Sequence, residues 1–161
     1  MLRSASLLCA SLMVSSSLCG AAESKEQKVP ILKEWKGFNS GETSKQRLAI
    51  RTAQAWKAVW EKTYRNVSSP PEVPKVDFTK DMILAVFMGQ KSTGGHSVQI
   101  VKVSKTDKGL KTHVREISPK PVDIVTQALT SPFHLVIISS VEGDVIFVDE
   151  KGVTQQGSPG K

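Results

Sequence analysis

The sequence predicts an α+β domain: one amphipathic helix packed on a mostly antiparallel β-sheet, or a half-open barrel as its variant. Three observations carry this. Trp56, Val59, Trp60 and Tyr64 recur at three- and four-residue steps, the spacing of one helix face. Residues 82–88 (MILAVFM) are apolar at every position, as a short strand covered on both faces must be. Leu110, Thr112 and Val114 alternate with Lys111, His113 and Arg115, the period of a half-exposed strand.

Residues 1–22 read as a signal peptide. Arg3 supplies the positive start, Leu7, Leu8, Leu12, Met13 and Val14 the apolar core, and Gly20, Ala21 and Ala22 a small-residue exit with cleavage after Ala22. The apolar run is too short and serine-rich for a spanning helix, which needs roughly 20 apolar residues. Lipidation at Cys19 is disfavoured, because Leu18 stands where a small residue is wanted. The expected destination is outside the cytoplasm: periplasm, cell envelope or medium. The chain's two cysteines, Cys9 and Cys19, both fall in this segment. The exported domain is therefore expected to hold together by core packing, without a disulfide, and with no transmembrane segment.

Residues 23–30 are polar and read as a disordered leader, residues 31–150 as the domain, and residues 151–161 as a polar flexible tail. Leu32, Trp35 and Phe38 mark a weak first strand over 31–38. Asn39, Ser40 and Gly41 signal a turn, and 46–51 is a second strand. Thr52 is placed to cap a helix over 53–65, with Lys57, Glu61 and Arg65 on its polar face and Asn66 closing it. Trp56 and Trp60 are expected to press this helix onto the sheet rather than form a ligand platform. Residues 68–75 (SSPPEVPK) form an extended proline-rich connector. Further strands follow over 96–104 and 110–115, joined at Thr106, Asp107, Lys108 and Gly109. Residues 135–138 and 145–148 read as a last hairpin about Glu142, Gly143 and Asp144.

The formal charge is +7, one positive fewer once Arg3 is removed. The basic residues are scattered, which reads first as a solvated surface with a modest positive field and second as steering towards an acidic partner or an anionic surface. Few aromatics and no recognition motif argue against a nucleic-acid partner.

Catalysis has no sequence support. Ser131 or Ser97, His134 or His96, and Asp123 or Asp144 could be drawn as a hydrolase set, but no G-x-S-x-G elbow is present. His96, His113 and His134 lie on or beside different strands without metal-ligand spacing. Neither a metal nor another cofactor is expected. Two segments stand out as candidate partner-binding residues. One holds Lys91, Thr93, Gly94, Gly95 and His96, where adjacent glycines let amides face outward. The other holds Thr130, Ser131, Phe133 and His134, with Phe133 as a candidate aromatic anchor. The competing reading makes both segments structural turns.

Trp56 and Trp60, Val76-Asp77-Phe78, the run 82–89, Thr93-Gly94-Gly95-His96-Ser97-Val98 and Leu129-Thr130-Ser131-Pro132-Phe133-His134 follow one another in an order that resembles the C-terminal domain of the PrcB family. These are small exported proteins associated with a surface protease complex. The likeness runs over residues 31–148, with His96 where a tyrosine is expected. It implies a non-catalytic subunit that binds an exported protease and supports assembly or stability of the complex. Thr93-Gly94-Gly95 is also similar to the Thr-Thr-Gly loop of chagasin-type cysteine protease inhibitors, although the helix argues against their all-β sandwich. A stoichiometric protease inhibitor is thus the second reading, and an envelope small-ligand or glycan binder the third.

Overall fold

The computed structural model describes residues 26–160. The expected signal peptide, residues 1–22, and both cysteines lie outside the described residues. In chain order the elements are β1 (Gln27–Val29), β2 (Ile31–Gly37), β3 (Lys45–Ile50), α1 (Ala53–Thr63), β4 (Asp81–Met88), β5 (Ser97–Thr106), β6 (Gly109–Ile117), β7 (Phe133–Ser139), β8 (Asp144–Asp149), β9 (Thr154–Gln156) and β10 (Ser158–Pro159). They form one helix and two five-stranded sheets, ordered β1-β5-β6-β8-β9 and β10-β3-β4-β7-β2. The α+β class stands, but the expected single sheet is two. Both are mixed, because β8 runs parallel to β6 and β10 parallel to β3. Neither sheet closes on itself.

The central strand explains the two layers. On β4, Met82, Leu84, Val86 and Met88 face the other sheet, in an aliphatic core with Val98, Ile100, Val136 and Ile138. Ile83, Ala85 and Phe87 face the helix, in an aromatic core with Trp56 and Trp60. A strand buried on both faces has no polar side, hence its unbroken apolar run. Thr52 caps α1 as expected, its Oγ1 accepting from the Ala55 amide at 3.3 Å. The helix ends at Thr63, with Tyr64 rather than Asn66 at its cap. Trp35, Trp56 and Trp60 meet as neighbours, with ring centroids 5.0–5.8 Å apart.

Three boundary expectations are corrected. Residues 135–138 and 145–148 do not form a hairpin: β7 is paired on both sides, by β4 and β2, so β8 crosses to the other sheet beside β6. Gly143 permits that crossing, since a Cβ there would lie 2.7 Å from the Lys108 carbonyl oxygen. The leader is ordered from β1 onward, pairing Val29 with Val103 of β5. Its Glu26 bonds Lys111 at 2.8 Å and Lys102 at 3.2 Å, and those two lysines hold its carboxyl down at about 2. The tail is not free either. β9 pairs with β8 and β10 with β3, so polar residues cover two sheet edges through backbone pairing.

Candidate functional site

The candidate segments meet where β4 ends and β7 begins. Lys91 and Thr130 exchange backbone hydrogen bonds of 2.7 and 2.9 Å. The Thr130 hydroxyl donates to the Thr93 carbonyl at 2.8 Å, and the Ser131 amide donates to Phe38. The Gly94 amide is not free for a partner, however. Gly94 donates to the Thr126 carbonyl at 2.9 Å. Gly95 adopts φ +80°, and a Cβ there would sit 3.2 Å from Val125 and 3.3 Å from Pro119. The two glycines are therefore the seat of the loop after β6, which packs close because they have no side chains. His96 fastens the same corner. Its ring nitrogens reach Thr93 Oγ1 at 3.3 Å and Ser118 Oγ at 3.2 Å. Burial, and next the charge of Lys91, push its pKa down and favour the neutral ring.

The second segment divides. Thr130 joins the corner, and Ser131 is buried beside it. Phe133 is not an exposed anchor. It shares strand parity with Leu135 and Ile137, so its ring enters the helix-side core against Tyr64 and Phe87. Gly37 makes room: a Cβ there would lie 2.7 Å from the Phe133 ring. His134 has the opposite parity and is fully buried between the sheets. Its Nδ1 accepts from the Ile100 amide at 2.9 Å, beside the register shift between Ile100 and Lys102. Nε2 therefore carries the proton and donates to Glu34 at 3.1 Å. Burial lowers the His134 pKa, while the bond to Glu34 opposes that shift. His134 is a cross-sheet bolt rather than a contact residue.

The drawn hydrolase sets do not assemble. His96 meets Ser118 rather than Ser97 or Ser131, and Asp123 accepts from its own loop, at the Lys120 amide. Among the described residues no three His, Cys, Asp or Glu side chains cluster as metal ligands.

What sequence reasoning missed is the loop that the corner seats. Residues 118–132 connect β6 to β7 without a helix or strand. Ile124 is as exposed as in an open chain (103%), Val122 is 86% exposed and Leu129 67%. Ile117 before the loop and Phe38 beside Ser131 are also exposed. The available signal was Val122 and Ile124 lying between Pro121 and Pro132, on no strand of their own.

Residues 82–139, from β4 through β7, match the family model described as PrcB C-terminal. The match bears out the resemblance, over a narrower span than residues 31–148. No curated protein and no solved structure matches the chain. No helix among the described residues is long and apolar enough to cross a membrane.

Proposed function

We propose, with the PrcB C-terminal match as premise, that this chain is a non-catalytic, exported protein-interaction domain that binds a secreted or surface protease complex and supports its assembly or stability. One observation carries the reading: the matched segment builds a seated loop that points Val122, Ile124 and Leu129 into water. Apolar surface in water is unfavourable by roughly 25 cal/mol per Å². Three such side chains on one ordered loop support the reading that another molecule covers it. The seat matters too, because a pre-ordered loop loses less freedom on binding. The non-catalytic part is supported by His96 and His134, whose ring nitrogens bond Thr93, Ser118, Glu34 and the Ile100 amide. The exported part rests on residues 1–22.

The test uses Val122→Ser with Ile124→Ser in one chain. The variant is expected to melt like the parent and to lose capture of an exported protease from the source's own secreted or envelope fraction. Removing the protein from the source is expected to shorten that protease's lifetime. Undiminished capture by the variant, or an unchanged lifetime, sinks the proposal. Stoichiometric loss of protease activity on mixing would assign the inhibitor reading instead.

A further inference from the structure

A cleft of about 600 Å³ lies beside the outer edge of β3. Its origin is a divergence of two chains. β10 pairs with β3 in parallel, but only at Leu48 and Ala49. Continued upstream, that pairing would bring Gln155, Gln156 and Gly157 beside Lys45, Gln46 and Arg47. It stops because the Gly157 amide donates to Val145 at 2.7 Å and β9 pairs with β8 in the other sheet. The tail thus leaves β3 as a wedge. β3 forms one side of the wedge, Val59 and Lys62 of α1 a second, and Gln155 and Gln156 a third.

We propose that this cleft binds an extended peptide carrying carboxylate side chains, added as a strand on residues 45–47 of β3. Among the described residues, the backbone edge there has no strand partner on its outer side. Along a strand the N–H and C=O groups point alternately to either side, so an unpaired edge is a template for another chain. The protein's own tail already uses the two positions next to it. At about 3.3 Å per residue, three open positions pair with a segment of about three or four residues.

Charge selects the class of peptide. Lys45, Arg47 and Lys62 line the cleft against one lining carboxylate, Glu42. Glu42 binds Lys62 at 2.5 Å, and Glu116 binds both Lys45, at 2.9 Å, and Arg47. The Lys45 and Lys62 side chains remain 46% and 43% exposed, so their ammonium groups can turn to an occupant. An acidic peptide meets this surplus of cations, whereas a basic one is repelled by it. The cleft shares no lining residue with the loop over 118–132 and stands whether or not that loop binds a protease.

The test is an NMR titration of the purified protein at low salt, with acetyl-Glu-Val-Glu-Val-amide and with acetyl-Lys-Val-Lys-Val-amide. The acidic peptide is expected to bind about tenfold more tightly or better, with amide shifts centred on Lys45, Gln46 and Arg47. Lys45→Gln, which leaves Glu116 its bond to Arg47, is expected to shrink that preference without moving the melting curve. N-methylation of the peptide backbone is expected to abolish binding. The proposal is overturned by equal affinity for the two peptides, by shifts centred elsewhere, by binding that survives N-methylation, or by no binding at millimolar peptide.

Discussion

Two irregular segments of this protein look alike in sequence and do opposite things. Residues 64–80 join α1 to β4, and residues 118–132 join β6 to β7. Each contains three prolines and several apolar side chains. In the first, Val73, Val76 and Phe78 pack on the helix-side core. The indoles of Trp56 and Trp60 donate to the Pro74 and Pro71 carbonyls, both at 2.9 Å. In the second, Val122, Ile124 and Leu129 point away, and the loop is held by close contact with Gly94 and Gly95. Length and irregularity therefore do not mark a binding surface. The surface proposed above is set apart instead by an ordered backbone whose exposed apolar side chains belong to neither core.

The contrast is broken most severely at Trp60. This side chain touches Trp35, Trp56 and Tyr64 and ties down the connector through Pro71. Trp60→Ala is expected to destabilise the fold by about 3–5 kcal/mol, measured by chemical denaturation. Stability within about 1 kcal/mol of the parent would mean that the aromatic core does not anchor the connector, since such small losses belong to surface positions.

A smaller effect is expected at the seat of the second segment. Gly95→Ala puts a side chain at φ +80°, against Val125 and Pro119. The left-handed conformation alone is unfavourable by about 1–2 kcal/mol for a residue with a Cβ. The penalty should appear locally, as faster amide hydrogen exchange over residues 119–126, with the helix-side core unchanged. Faster exchange throughout the molecule, without preference for the loop, would show that the glycine pair braces the whole fold rather than this loop.

The sequence discloses what is local and hides what is paired at a distance. The helix is legible because Thr52, Trp56, Val59 and Trp60 lie within a few turns of one another. β4 is legible because burial on both faces removes every polar residue from it. Phe133 misleads, since an aromatic after Pro132 reads as an anchor until strand parity with Leu135 and Ile137 sends it inward. Glu142, Gly143 and Asp144 mimic a hairpin turn, and nothing nearby reveals that β7 has both edges occupied. Gly94 and Gly95 are legible as a close approach. That the approaching chain is this protein's own loop depends on Pro119, Val125 and Thr126, more than twenty residues later.

The smallest expected effect on stability comes from Val122→Ser with Ile124→Ser. Folding buries almost none of either side chain, because both are as open in the native protein as in a disordered chain or nearly so. No burial free energy is therefore lost on replacing them. Neither residue lies among the packed residues of the two cores. The loop's hold on the body runs instead through Thr126, Val125, Pro119 and Ser118. The double variant should unfold within about 0.5 kcal/mol of the parent, the range of surface changes away from special features. Its denaturant slope should also be unchanged, since that slope follows the surface exposed on unfolding. Both quantities come from one urea titration. A loss above about 2 kcal/mol would place these side chains among those that fold the protein, by the size that core truncations show. The two long segments would then be structural alike, and the apolar loop would no longer stand out as a surface kept for a partner.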